Sequence, residues 1–213
     1  MAATDSELMT LIRAIVAGDE ATASRLLAAV PGLAQGRAPV GASRQEAKDY
    51  FFEEIKHYVY GGDTALHMAA AAYRTAIVRK LIDLGADVGA KNRRGAEPLH
   101  YAVDGIPGAH SWNPTAQAAT VSALIAAGAD PNGVDMGGVT PLHRAVRNRC
   151  AAAVRALLDG GADARRTNKS GSTPMQLATQ QTGRGGSGSA DAKEQQQAIV
   201  RLLEEHGATS HRG

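Results

Sequence analysis

Seven histidines and a single cysteine are the side chains in this chain best suited to acid–base, nucleophilic or metal chemistry. Zinc asks for two ligands at helical spacing plus a third donor. No histidine pair supplies that: His57, His110, His206 and His211 stand apart, and His67, His100 and His143 recur at long, regular intervals. Cys150 follows His143 by seven residues. A thiolate nucleophile needs a base in reach and a third group to orient it, and the sequence arranges neither. Gly183, Gly185, Gly186 and Gly188 precede Asp191 and Glu194, which read as a capping box opening a helix. Such a loop could cradle phosphate on backbone N–H groups. It lacks the Gly-Lys-Ser/Thr ending of a P-loop and follows no strand, so it reads as a loop. No Gly-x-Ser-x-Gly or dinucleotide motif is present. The expectation is no catalytic residue, no cofactor and no metal.

The spacing of three histidines has another cause. DTALHMAA from Asp63, AEPLHYAV from Ala96, VTPLHRAV from Val139 and STPMQLAT from Ser172 align. His67 to His100 is 33 residues, His143 to Gln176 is 33, and His100 to His143 is 43, one period plus ten. A second series, LGAD, AGAD, GGAD and HGAT, ends at Asp87, Asp130, Asp163 and Thr209 and keeps the same phase. A period in this range signals a solenoid of stacked units. Thr140-Pro141 and Thr173-Pro174 read as an N-cap followed by proline at the first helical position, where its missing N–H costs nothing. Leu142, Ala145 and Val146 then give one apolar face, and Val154, Leu157 and Leu158 a second helix closed at Gly161. Turn-rich stretches such as VGAKNRRGAE join the units.

On these motifs the chain resembles the ankyrin-repeat family. The resemblance covers residues 61–209 directly and 5–36 weakly, where a helix pair without the Thr-Pro-Leu-His motif looks like an N-terminal cap. It implies an all-α solenoid of about five helix–turn–helix repeats with hairpin fingers. It also implies structural roles for His67, His100 and His143, which would bond within and between repeats. Glu97 stands where the family has threonine, Ala65 where it has proline, and Gln176 where it has histidine. Tyr73 and Arg149 occupy positions where the family usually has glycine, so those turns should be strained or reshaped. The reading divides the chain into a cap (1–36), an aromatic insertion (37–60), repeats at 61–93, 94–136 and 137–169, and a capping repeat with tail (170–213).

Departures from the repeat are the places to look for function. Residues 43–58 read as a helix with Phe51, Phe52, Ile55, Tyr58 and Val59 on one face, either packed on the solenoid or offered to a partner. GIPGAHSWNP, residues 105–114, carries Trp112 and His110. Trp112 could pin that loop or recognise a ligand, and with His110 it defines an alternative small-ligand or metal site. The insertion of repeat four, 181–194, should leave the same edge as that of repeat two.

Two fingers are basic, one with Lys91, Arg93 and Arg94 and one with Arg165, Arg166 and Lys169, while the middle finger carries Asp135. Arg144 and Arg147 add charge on the first helix of repeat three. These residues with Trp112 form the expected protein-binding surface, and an acidic partner is the class they would attract. A net charge of +2 argues against nucleic acid. One cysteine and the lack of an apolar run of bilayer length suit a monomeric protein of the cytoplasm, not of a membrane. The function implied is a non-catalytic adaptor or inhibitor that binds protein through its concave face.

Overall fold

The computed structural model describes residues 2–43, 47–180 and 190–208. Five helix pairs follow one another: α1 (Ala2–Ala17) with α2 (Glu20–Ala29), α3 (Ala65–Ala71) with α4 (Thr75–Asp83), α5 (Pro98–Ala102) with α6 (Pro114–Ala126), α7 (Pro141–Arg147) with α8 (Ala151–Asp159), and α9 (Pro174–Thr179) with α10 (Ala190–Glu205). The first helices stack in the order α1, α3, α5, α7, α9, and the second helices stack behind them in the order α2, α4, α6, α8, α10. This is the expected all-α solenoid. Among the described residues no helix is long and apolar enough to cross a membrane.

Each repeat builds its core from the same positions. Leu66, Leu99 and Leu142 are fully buried and Met175 nearly so, in contact with Val78, Leu81, Val121, Leu124, Val154 and Leu157 of the second helices. Burial of this kind is the main source of stability in a stacked array. The second helices end where Gly85, Gly128, Gly161 and Gly207 take positive φ of 78° to 96°, which closes the helix without a Cβ clash. Tyr73 and Arg149 adopt φ of 55° and 59°, the left-handed conformation that the missing glycines would have taken freely. That costs roughly 1–2 kcal/mol per residue.

The histidines form a ladder. Nδ1 of His67, His100 and His143 accepts the N–H of its own N-cap residue, Thr64, Glu97 or Thr140, at 3.1, 3.2 and 3.3 Å. With Nδ1 an acceptor, the proton sits on Nε2. Nε2–H then donates to the next repeat, at Ala96 O, Val139 O and Ser172 O, 3.0–3.1 Å away. Gln176 keeps the cap, accepting Thr173 N–H at 2.8 Å. Burial is the main cause that pushes all three histidines below the usual imidazole range, His100 to about 4.

The fingers carry a second ladder. The side-chain oxygens of Asn92, Asp135 and Asn168 each accept two backbone N–H groups of their own turn, at 2.8–3.1 Å. Backbone bonds then join neighbouring fingers: Arg93 N–H to Gly61 O, Met136 N–H to Arg94 O and Lys169 N–H to Gly137 O.

The insertion at 37–60 corrects the expected helix. Lys48–Tyr50 form one 3-10 turn, and β1 (Phe51–Phe52) pairs antiparallel with β2 (His57–Tyr58), Phe51 facing Tyr58 and Phe52 facing His57. The physical reason lies at its base. Arg37 bridges Thr64, Ala38 N–H bonds Asp63 O and Ala42 N–H bonds Val59 O, so the excursion must leave and return at one edge. A hairpin does that, while a single helix would carry the chain away. The aromatic rings pair across the strands, Phe51 with Tyr58 at 4.6 Å, instead of lining a helix face.

Candidate functional site

A groove of about 820 Å³ runs along the inner face, over the ends of α3, α5 and α7 and beside the fingers. Both described insertions wall it. The hairpin contributes Ile55, His57 and Tyr58, and the repeat-two loop contributes Ile106, Ala109 and Trp112.

Asp104, at the start of that loop, is the hub of the floor. Its carboxylate accepts from Arg144 Nη1 at 3.2 Å, Asn148 Nδ2 at 3.1 Å and His57 Nε2 at 3.2 Å. Its backbone carbonyl accepts the Tyr73 hydroxyl. The left-handed turn at Tyr73 therefore has a use: it sends the ring to the neighbouring repeat, where Gln117 Nε2 also donates to its oxygen at 3.3 Å. Arg149 does the same at the other end, its guanidinium reaching Ala192 O. Gly105 is confined here, because a Cβ would lie 2.7 Å from the Tyr73 hydroxyl and 3.0 Å from Trp112.

Arg144 closes on two carboxylates, Asp104 and, through Nη2 at 3.0 Å, Asp135. Burial works against the Asp104 charge, but Arg144, His57 and Arg147 outweigh it and hold the carboxyl down to about 2. Burial also opposes the charge of Asp135, which Arg144 and the N–H groups of Val139 and Gly137 keep low. His57 joins the hairpin to this network. Its Nε2 faces Asp104 at 3.2 Å and its Nδ1 lies 2.9 Å from Tyr58 O. Its ring also packs 4.3 Å from that of Tyr101. Tyr101 donates to Asp63 at 2.8 Å, and Asn92 donates to both.

The expected site residues separate into three groups. Arg94, Trp112, Arg144 and Arg147 come together on the groove. Lys91, Arg93 and Lys169 are engaged elsewhere, with Glu97, with Ala42 O and with Met136 O respectively. Arg165 and Arg166 stand exposed on the third finger. Trp112 pins its loop by donating Nε1–H to Gln117 at 3.1 Å, and it lines the groove. His110 is exposed and takes no part in the lining. Cys150 is buried, and burial pushes its thiol up to about 12, out of the nucleophilic range. Among the described residues no group of three or more histidine, cysteine or acidic side chains converges as metal ligands do. The glycines of 183–188 fall outside the described residues, and α10 begins at Ala190, so Asp191 sits in its first turn, not ahead of it.

Asp104, His57, Tyr73, Tyr101 and Asn148 were not anticipated as site residues. Only the fingers carried a signal: Asn92, Asp135 and Asn168 fall at the same relative position in three repeats.

Two family models match the sequence, "Ankyrin repeats (3 copies)" over residues 11–110 and "Ankyrin repeats (many copies)" over residues 124–178. The search of curated proteins gave no match. Ankyrin repeats are generally protein–protein interaction modules and the family is typically non-enzymatic. With the matched residues covering most of the repeats, and with the helix pairs, fingers and histidine ladder in place, the chain belongs to the ankyrin-repeat family.

Proposed function

We propose that the chain is a non-catalytic, monomeric binding module of the cytoplasm, an adaptor or inhibitor that holds a protein partner on its inner face. The observation that carries this reading is the groove itself. Two insertions that stacking does not require converge on its two sides, and four of the expected binding residues line it. A groove of this kind is rigid and pre-organised, because its floor is the stacked helices and its polar groups are already bonded to one another. Little ordering entropy is then lost on binding. Arg94, Arg144 and Arg147 in the groove, with Arg165 and Arg166 beyond it, favour an acidic partner and its fast capture. Lys91, Arg93 and Lys169 belong to the same surface but serve it mainly by fixing the fingers.

The test is capture with the immobilised chain, identification of bound protein by mass spectrometry, and repetition with a groove variant, Trp112→Ala with Arg147→Glu. A partner retained by the parent and lost by the variant is the expected result. A partner held equally by both would move the binding surface away from the groove. Stoichiometric zinc by elemental analysis would instead favour a metal-dependent site.

A further inference from the structure

The α1–α2, α3–α4 and α7–α8 turns are built alike. The N–H groups of Gly18 and Asp19 donate to Ile15 O and Ala14 O, those of Tyr73 and Arg74 to Ala70 O and Ala69 O, and those of Arg149 and Cys150 to Val146 O and Ala145 O. Each turn closes its first helix with one residue at positive φ, 77° at Gly18, 55° at Tyr73 and 59° at Arg149. Glycine takes that conformation freely, and the other two residues do not. What differs is the neighbour. The cap stacks on repeat one, whose helices are joined directly across residues 72–74, and there the Arg74 guanidinium lies over Gly18. Repeat one stacks on repeat two, and repeat three on repeat four, the two repeats with sequence insertions between their helices. There the glycine is gone, and the side chain in its place reaches the neighbour, Tyr73 to Asp104 O and Arg149 to Ala192 O. A strained backbone kept at such a position points to a side chain that the fold uses.

Resting on the reading of the groove as a binding surface, we propose that Tyr73 is a positioning residue of that surface. It holds the repeat-two loop, residues 105–113, where that loop walls the groove. The connection is short. The Tyr73 hydroxyl donates to Asp104 O at the start of the loop. Gln117 Nε2 donates to the same hydroxyl oxygen at 3.3 Å, and Gln117 Oε1 accepts Trp112 Nε1–H at 3.1 Å at the end of the loop. One phenol thus joins both ends, through a glutamine that is fully buried. Gly105 leaves it room, since a Cβ there would lie 2.7 Å from the hydroxyl. A partner in the groove meets Ile106, Ala109 and Trp112, and Tyr73 acts on it through them.

Hydrogen exchange on the full chain reads the loop without a partner. Tyr73→Phe keeps the ring and the turn and loses the hydroxyl. The amides of Ala109 and Trp112, which bond Ile106 O and Ala109 O inside the loop, should then exchange roughly fivefold faster relative to those inside α4 and α8, the worth of one hydrogen bond. Trp112, the only tryptophan, should become more open to quenching by acrylamide. Tyr73→Gly relaxes the turn and removes the anchor. It should loosen the loop further, although glycine is the residue that this backbone prefers. Gly105→Ala presses on the hydroxyl from the loop side and should quicken the same amides. Parent-like loop exchange in Tyr73→Phe, or a change shared equally by the helices as a mere packing role would give, overturns the proposal. So does a captured partner held equally by the parent and by a Tyr73→Phe chain whose loop has loosened, an outcome that leaves protein binding itself intact. A parent chain that captures no protein fails the binding reading alone, and the loop rates still decide whether Tyr73 is the anchor.

Discussion

The molecule contains two polar networks, one buried and one half-buried, and they differ in kind. The histidine ladder is the same device three times, each ring capping its own helix and donating to the next repeat. The groove network is made once among the described residues, from Asp104, Arg144, Asp135, His57, Asn148 and Tyr73. The ladder binds repeat to repeat and serves stacking alone. The groove network ties the hairpin, the repeat-two loop and a finger to the helices, so it fixes the shape of a surface. Damage to the ladder region should therefore appear as lost stability, and damage to the groove mainly as lost recognition.

The largest effect belongs to the stack. Leu142 is fully buried between repeats, and Leu142→Ala should cost about 2–5 kcal/mol, because it removes apolar contact and leaves a cavity. Urea unfolding measures it. A cost below about 1 kcal/mol would mean that the stack yields and collapses locally, and the contrast with the groove would lose its basis.

Acid separates the two networks in sequence. His100 is held neutral, its affinity for a proton lowered from 6.5 to about 4 by burial. The unfolded chain takes up that proton first, so stability is complete above about pH 6.5 and falls as the pH drops toward 4, by about 3 kcal/mol for this residue at 1.36 kcal/mol per tenfold change in proton affinity. His67 and His143 act in the same direction. His100→Gln copies the cap that Gln176 already makes and should flatten the fall between pH 6.5 and 4. An unchanged slope in urea midpoints across that range would show that acid sensitivity does not lie in the ladder.

The groove network answers at lower pH. Asp104 is held down to about 2 from an ordinary 3.8, mainly by Arg144 against the cost of burial. Its contribution is present above about pH 4 and lost as the pH falls through 2, so Arg144→Met should cost about 2 kcal/mol at neutral pH, and less in acid. The same variant should weaken partner binding more than Leu142→Ala does in any preparation that remains folded. Equal binding by both folded variants would erase the distinction between the networks.

The difference in kind also decides what could be read from the sequence. The ladder was legible because repetition exposes it: His67, His100 and His143 announce one role three times, and Gln176 varies it. Tyr73 and Arg149 were legible as anomalies, since only glycine takes their backbone conformation without cost. Asp104 was not legible. Its carboxylate bonds to partners 40 and more residues away along the chain, and a residue used once leaves no pattern. Residues 43–58 misled for a related reason. Phe51, Ile55, Tyr58 and Val59 share a helical spacing, but the backbone pairing at Arg37 and Thr64 that forces a return of the chain has no side-chain signature.

The smallest effect tests the two basic fingers, alike in sequence and unlike in the fold. Arg93 reaches Ala42 O and packs with Arg94 over Tyr60, so these cations are tied to the segments that flank the hairpin, and Arg94 also lines the groove. Arg165 and Arg166 are exposed on the third finger, and among the described residues no insertion folds against it. Reversing Arg165 and Arg166 to glutamate should leave stability within about 0.5 kcal/mol, as surface changes do. Reversing Arg93 and Arg94 should lower the melting temperature measurably, because the pair loses its contacts with the hairpin. Toward an acidic partner both reversals should slow association at low salt. The third-finger effect should vanish at high ionic strength, where exposed charges are screened. The first-finger effect should persist there, since it also alters the groove. Identical salt dependence for the two pairs would mean that Arg93 and Arg94 act only as charge, and that the hairpin does not shape the surface they share.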